Sequence, residues 1–459
     1  MASLNREAAP GSGAQVEVRC AVVGSGPSGF YAAEALLKQL PKAQVDLFEG
    51  LPTPFGLVRY GVAPDHPRIK SVTASFERIA ESPRLRFFGN VHIGRDLQGS
   101  ELLAHYHTVI YATGGSQSRA LDIPGIDRDN VFGSSEFVGW YNGHPDQRTL
   151  PVDTSPGSAV VIGMGNVALD IARMLVLAPV QLAKTDIADE ALAVLTDSNI
   201  TEVCLLARRG PVQAAFTPKE LEQLMALPDV ELVVEPQDLQ LDGASEVQLA
   251  QPESGEARQN LALLRRIVER GQGGSKRIRF LFNVSPVEIS SDGEQQQCLS
   301  LARNRLQDDG QGRLVAKATG ESLRVSAGLV VHATGYQGQA VGDLNFDPRR
   351  GVIQNREGRA FAREEVLSSQ EFVAGWIKRG ASGVIGSNKH CANETVDQLL
   401  KQLPEAPGAI EKDIQVLLES RGVNYVSFAD WRLLDAHEQS LGKAVGRPRR
   451  LITDVPQML

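Results

Sequence analysis

Short apolar runs separated by longer amphipathic stretches set the rhythm of this chain. Cys20–Val23, Val45–Phe48, Leu85–Phe88, Val91–Ile93 and His107–Ala112 are too short for helices and are apolar almost throughout. Runs of that kind predict strands of a sheet covered on both faces. Between them, Phe30–Gln39 and Lys70–Glu81 space their apolar residues as helices do. A second series repeats the rhythm: Ala159–Ile162, Glu202–Ala207, Phe280–Phe282 and Leu329–His332 predict strands, Leu169–Leu177 and Phe216–Leu227 helices. Residues Gln237–Asn260 read as polar and irregular. Near the C-terminus Glu371–Trp376 predicts a strand, Ala392–Gln402 and Ala409–Ser420 helices, and Val426–His437 a packing segment holding Phe428 and Trp431. Alternating strands and helices predict an α/β protein.

The junctions carry the chemistry. The first strand enters Gly24-Ser25-Gly26-Pro27-Ser28-Gly29, and the next ends at Glu49, 20 residues beyond Gly29. That is the dinucleotide fingerprint in its strand–turn–helix–strand setting. Gly24 permits the tight turn, Gly26 lets the backbone approach a pyrophosphate, and Gly29 lets helix and strand pack closely. The helix N-terminus offers unpaired N–H groups to phosphate, and Glu49 accepts hydrogen bonds from ribose hydroxyls. A second fingerprint, Gly163-Met164-Gly165-Asn166-Val167-Ala168, ends with alanine, an accepted variant. Its following strand is reached after an insertion, Pro179–Asn199, and ends in Arg208-Arg209-Gly210 rather than an acid. Two guanidiniums clamp a 2′-phosphate that an acid would repel. The competing reading is a surface arginine pair, because the insertion leaves the register open. Two Ala-Thr-Gly segments, Ala112–Gly114 and Ala333–Gly335, mark exits from the two sheets.

At 459 residues, 42% hydrophobic and 22% charged, the composition is that of a globular protein of two or three domains. The formal charge of −8 gives nothing that points to nucleic acid. No apolar run approaches the roughly 20 residues a membrane helix needs. The tail Met1–Gln15 is small, polar and glycine-rich, and is expected to be disordered. Four scattered cysteines, Cys20, Cys204, Cys298 and Cys391, form no C-x-x-C. That argues against a redox disulfide, an iron–sulfur cluster or a structural zinc site, so no metal is expected, and it fits reduced thiols in the cytoplasm. Arg265, Arg266, Arg270, Lys276, Arg277 and Arg279 face one acid, Glu269, between residues 265 and 279. A basic run on an acidic chain can orient an acidic partner, or be a solvated face.

Taken together, two fingerprints, two Ala-Thr-Gly exits and an interrupted order resemble the flavoproteins with two Rossmann-like dinucleotide-binding domains. More specific are Pro54–Arg59 (PFGLVR), Gly61–Pro67 (GVAPDHP), Phe137–Gly143 (FVGWYNG), Gly165–Asp170 (GNVALD), Arg208–Pro211 (RRGP) and Gly375–Gly380 (GWIKRG). These are similar to adrenodoxin reductase and its bacterial relatives, over nearly the whole chain after Val18. The resemblance implies an FAD domain split by an inserted NADP domain. The implied boundaries are a tail at 1–16, FAD parts at 17–116 and 336–459, and the NADP domain at 117–335. It implies FAD contacts at Ser28, Glu49, Leu57, Ile93, Trp376, Gly383, Val384 and Ile385, beside Gly24, Gly26 and Gly29. It implies NADP(H) contacts at Gly163, Met164, Gly165, Asn166, Val167, Arg208, Arg209, Glu220 and Gly383. His66 and Glu220 match residues where flavin meets nicotinamide. The loop leading into the helix near Ala392 would aim positive dipole at the flavin.

The implied activity is a ferredoxin–NADP reductase: hydride passes from NADPH to FAD, and electrons leave singly to a ferredoxin-type iron–sulfur protein. Departures are Glu220-Leu221-Glu222-Gln223, where mammalian members carry docking arginines, and Ala381-Ser382 in place of Pro-Thr. No mitochondrial presequence is recognisable, which favours a bacterial cytoplasmic setting. The competing functions are an NADPH-fed input subunit of the glutamate-synthase small-subunit kind and a non-catalytic FAD- and NADP-binding regulator.

Overall fold

The computed structural model describes residues 17–270, 273–292, 296–310, 314–363, 366–404, 408, 410 and 412–459; the tail 1–16 lies outside them. The first apolar runs are central strands. β1 (Arg19–Val23), β2 (Gln44–Phe48), β3 (Leu85–Phe88) and β4 (Thr108–Tyr111) lie parallel in the order β4-β1-β2-β3. Cys20 to Val23 are buried because helices cover both faces of the sheet. Val91–Ile93 is not a strand: Ile93 makes only an isolated bridge to Leu97.

The chain leaves through β5 (Gln117–Ser118) and builds a second parallel sheet. Its strands are β6 (Val131–Gly133), β7 (Ser158–Ile162), β8 (Glu202–Leu206), β9 (Val230–Val234) and β10 (Lys276–Leu281). A meander of β11 (Val284–Asp292), β12 (Gln296–Asp308) and β13 (Leu314–Ser326) follows, paired antiparallel. β14 (Leu329–His332) then completes the second sheet, in the order β6-β14-β7-β8-β10-β9. β15 (Tyr336–Gln337) runs back antiparallel to β5, so the two crossings are neighbours. After a two-stranded ribbon, β16 (Phe346–Asp347) and β17 (Val352–Ile353), come β18 (Asn355–Arg356), β19 (Arg359–Arg363) and β20 (Val366–Val373). They extend the first sheet beyond β4, with β20 parallel to β4.

Further segments differ from the sequence expectation. Gln237–Asn260 is not irregular: it holds a helix, Gly243–Leu249, and the start of another, Gly255–Glu269. Asp242 caps the former by accepting from the Ser245 N–H at 2.7 Å, a local bond that a reading for apolar period misses. Lys70–Glu81 is split into Pro67–Lys70 and Thr73–Ala80. The packing segment is a helix, Phe428–Ala444, whose Trp431 lies edge-on to Phe55 at 5.9 Å between ring centroids.

The insertion forms two short helices, Pro179–Leu182 and Asp189–Thr196. The C-terminal segment reaches across to them. Arg447 and Arg450 both pair with Asp189, Thr453 Oγ1 donates to Glu190 at 2.7 Å, and Lys70 Nζ lies 2.8 Å from Asp186. Residues continuous with the first sheet thereby hold an element of the second.

Candidate functional site

Both strand–helix turns depend on glycine. At Gly24 φ is +103°, and a Cβ would stand 2.5 Å from the Ala112 carbonyl oxygen. At Gly163 φ is +153°, and a Cβ would stand 2.4 Å from the Ala333 carbonyl oxygen. Each Ala-Thr-Gly exit therefore presses its alanine carbonyl onto the first glycine of its own fingerprint. The third position differs: a Cβ on Gly29 would fall 1.8 Å from the Gly24 oxygen, whereas the second turn holds buried Ala168. In front of the helices Pro27–Gln39 and Asn166–Val176, Gly26 has open space and Gly165 nothing nearer than Ala215 Cβ at 4.0 Å. No side chain caps either helix, so their first N–H groups are left for an anion. These cradles fit the pyrophosphates of FAD and NADP(H).

The adenosine ends differ in charge. Glu49 closes β2; its Oε2 accepts from Ser25 N at 3.1 Å and Ser25 Oγ at 2.7 Å, its Oε1 from Leu51 N at 3.2 Å. The Val91 N–H donates to the Glu49 carbonyl at 2.9 Å, bringing Ile93 to the same edge. At the end of β8, Arg208 is exposed and Arg209 half-buried. Among the described residues no carboxylate pairs with either. Burial and the neighbouring Arg208 push the Arg209 guanidinium below its ordinary range.

The remaining first-domain residues gather around the same strand ends. Leu57 opens the short helix Leu57–Tyr60, with Gly56 packed on Gly26. Buried Ser28 lies against Gly375, where a Cβ would come within 2.0 Å of its Oγ. Trp376 stacks on Tyr336 with centroids 5.9 Å apart, and its Nε1 donates to the Ser382 carbonyl at 3.0 Å. Gly383 has φ +78°, Val384 is exposed and Ile385 half-buried, just before the helix Ser387–Leu400. Behind them Arg59, buried under Tyr60 and Trp431, pairs with fully buried Glu438 at 2.6 Å.

His66 and Glu220, 154 positions apart in the chain, meet with Nε2 and Oε2 3.8 Å apart. The second turn delivers Glu220. Ala215 N donates to the Met164 carbonyl at 2.9 Å and Thr217 N to Asn166 Oδ1 at 2.8 Å, which laces the fingerprint to the helix Pro218–Met225. Glu220 is buried and its Oε2 has no hydrogen-bond partner, so it is not a surface acid.

Four further residues complete this cluster. Arg173, 2% exposed, donates to Asp65 at 2.7 and 3.0 Å and to Asp170 at 2.6 Å; its Nη2 lies 3.0 Å from His66 Nε2. Gln223 Oε1 is 2.7 Å from the same His66 nitrogen. Burial pushes the Asp170 carboxyl up to about 6, against the pull of Arg173 and His66. His66, Asp170 and Glu220 have the ligand types of a metal site, with ligand atoms within 4.8 Å of one another. The guanidinium among them supplies a positive charge of its own. Asp65 and Asp170 stand inside the motifs GVAPDHP and GNVALD, and Arg173 follows Asp170 by one helical turn; those signals could have located them.

The basic run is partly neutralised. Arg277 pairs with Glu231 at 2.9 Å and Glu202 at 3.5 Å, and Arg279 with Glu202 at 3.4 Å. Arg265 and Arg266 remain exposed on the helix Gly255–Glu269. All four cysteines are free and buried, and burial pushes the Cys204 thiol up to about 12. Among the described residues no helix is long and apolar enough to cross a membrane.

Two parallel sheets with paired Gly-rich turns, one inset in the other, define a pyridine nucleotide–dependent flavoprotein architecture. The family model described as pyridine nucleotide-disulphide oxidoreductase matches residues 18–227. The NADPH-ferredoxin reductase FprA of Mycobacterium tuberculosis is 44% identical over 454 residues, 96% of this chain and 98% of that one. The mitochondrial NADPH:adrenodoxin oxidoreductase of Bos taurus is 41% identical, over 95% and 90%. The solved structure of M. tuberculosis FprA in complex with NADPH superposes with a TM-score of 0.91 at 43% identity, covering 96% of this chain and 99% of that one. The chain belongs to the family of these NADPH-ferredoxin and NADPH:adrenodoxin reductases.

Proposed function

We propose that this protein is an FAD-dependent reductase that takes reducing equivalents from NADPH and hands electrons one at a time to a ferredoxin-type iron–sulfur protein. The observation that carries the reading is one chain with two anion cradles whose adenosine ends have opposite charge, Glu49 and Arg208–Arg209. Glu49 suits free ribose hydroxyls, and the unpaired guanidiniums suit a 2′-phosphate. FAD, when bound, supplies hydride acceptance and one-electron release. Ser28, Leu57, Ile93, Trp376 and Gly383–Ile385 would hold it beside the glycine turn. Met164–Val167 would hold the NADP(H) pyrophosphate. Glu220 and His66 would then stand where the two cofactors meet, with the Arg173 guanidinium 3.0 Å from His66 and 3.6 Å from Glu220. The thiols are buried and unpaired, so no disulfide relay is needed.

The division at 17–116, 117–335 and 336–459 belongs to the same proposal, supported by the β5–β15 pairing at the two crossings. Arg265, Arg266 and Arg270, exposed and in no ion pair among the described residues, are the part of the basic run free to steer an acidic acceptor. A cytoplasmic location fits four unpaired cysteines. The test is direct. Purified protein should be yellow, release intact FAD on denaturation, bleach with NADPH far faster than with NADH, and reduce a ferredoxin. A colourless protein that takes up no added FAD sinks the reading, as does equal bleaching by NADH.

A further inference from the structure

Three consecutive carbonyls of the arginine loop are held from one side. Ala207 O accepts from Val284 N at 2.9 Å and Arg209 O from Asn283 N at 3.1 Å. Between them, Arg208 O accepts from the side-chain amide of Asn304 at 2.9 Å. Asn304 lies 96 positions further along the chain, on β12 of the meander. The two outer bonds are backbone to backbone; the middle one alone depends on a side chain.

The meander is built to present that amide. β12 and β13 pair regularly up to Ala302 opposite Ser322, and resume at Asn304 opposite Ala318. Thr319, Gly320 and Glu321 therefore face Arg303 alone, a bulge that Gly320 permits with φ +93°. Thr319 Oγ1 fastens it by donating to the Arg303 carbonyl at 3.2 Å. Bulges bend a ladder and re-aim the side chain beside them. Asn304 is anchored at its other contacts too: its N–H donates to the Asn283 carbonyl at 2.8 Å, and its Nδ2 also donates to Ser285 Oγ at 2.8 Å.

We propose that Asn304 is a positioning residue for recognition of the 2′-phosphate. This rests on the reading above that Arg208 and Arg209 hold that phosphate. Adjacent guanidiniums repel each other, a contribution that adds to burial in lowering Arg209, so without an anion the loop gains by splaying. Holding the Arg208 carbonyl against the meander keeps the loop in place before the ligand arrives, and preorganisation of this kind raises affinity. A ligand lacking the phosphate makes no use of it.

The test uses the FAD-bound enzyme, with 2′,5′-ADP and 5′-ADP as competitors of NADPH. Asn304→Ala should weaken 2′,5′-ADP and raise KM for NADPH about fivefold, the worth of one neutral hydrogen bond. Affinity for 5′-ADP and kcat at saturating NADPH should not move. In an Arg208→Ala, Arg209→Ala background the same substitution should add nothing. Where Asn304→Ala gives no FAD-bound protein, Asn304→Leu, close in volume and lacking the donor, decides. Equal weakening of both competitors, or of neither, overturns the inference. If the double arginine change itself leaves 2′,5′-ADP untouched, the reading of the arginines fails. If that change weakens 2′,5′-ADP and Asn304 does not, only the positioning role fails.

Discussion

In the first dinucleotide fold the strand–helix turn closes on Ala112; in the second it closes on Ala333, with nearly the same clearance at Gly24 and Gly163. Beyond that turn the two folds part. The first has Gly29 with no room for a methyl group, and the second has Ala168. Five residues after the second glycine the first helix carries Tyr31, the second Asp170 with Arg173 one turn on. The second strand of the first fold ends in an acid bonded to its own loop, that of the second in two arginines that pair with no acid among the described residues. On the function proposed above, the backbone turn serves as a generic anion device, and the side chains at the next strand end would decide which dinucleotide enters.

The largest effect should come from the third position. Gly29→Ala puts a methyl group 1.8 Å from the Gly24 oxygen, which the turn can relieve only by opening. The cost exceeds the ~1–3 kcal/mol usual for overpacking, because the atom met is backbone rather than a yielding side chain, and relief destroys the cradle itself. Purified Gly29→Ala should carry little or no FAD, while Ala168→Gly should keep its FAD and most of its NADPH affinity. Equal tolerance at both sites would erase the distinction between the turns.

Next in size is the adenosine edge. Arg208→Ala with Arg209→Ala should lose on the order of 3–5 kcal/mol of charge-assisted bonding to phosphate. The ratio of NADPH to NADH specificity constants should fall about a hundred- to several-thousand-fold, through NADPH alone. FAD content should hold, because Glu49 and its turn lie in the other fold. A ratio that barely moves would make the arginines ordinary surface residues.

Asp170 sharpens the contrast between the helices through pH. Its carboxyl is raised to about 6, so the native state favours the protonated form. That stability is present below the ordinary carboxyl range near 4 and lost as pH rises through about 6. Two units correspond to roughly 3 kcal/mol. Asp170→Asn should therefore gain stability relative to the parent between about pH 4 and pH 7, read as denaturant midpoints of the FAD-bound protein. A difference independent of pH would mean that Asp170 titrates normally.

The smallest effect is at the rim. Arg265→Glu with Arg266→Glu should raise KM for an acidic ferredoxin a few-fold at low salt, with the gap closing as the screening length falls to ~8 Å. A small neutral acceptor should not respond. Matching responses from the two acceptors would leave these arginines as solvated surface.

How far each feature could be read from the chain follows from how local it is. The fingerprints, Glu49 and the double arginine lie within a strand and the turn beside it, and the insertion Pro179–Asn199 did not displace β8 from ending at Leu206 just before them. His66 and Glu220 were reachable through family motifs. Their partners Asp65 and Asp170 stand in the same motifs with Arg173 one turn beyond, but the pairing of Arg173 with Asp65 was not legible, because it joins segments 108 positions apart. Arg59 with Glu438 escaped for the same reason: 379 positions separate them, and no periodicity pairs charges at that distance. Helix Gly243–Leu249 was missed because a cap and a polar surface define it more than apolar spacing does.

The position of β20 has a consequence for the order in which this protein is made. Val373 pairs with Tyr111, so β4 waits 262 residues for its neighbour while the inset sheet is translated between them. At ~5–20 residues per second that interval is roughly 13–50 s. During it the nascent chain presents at the ribosome the unpaired edge of a strand that is buried throughout in the finished fold, and the inset segment is free to fold first. A chaperone that shields strand edges therefore has its window here, and ribosome-bound chains stalled before Val366 should associate with it more than chains stalled after the helix Ser387–Leu400 has emerged.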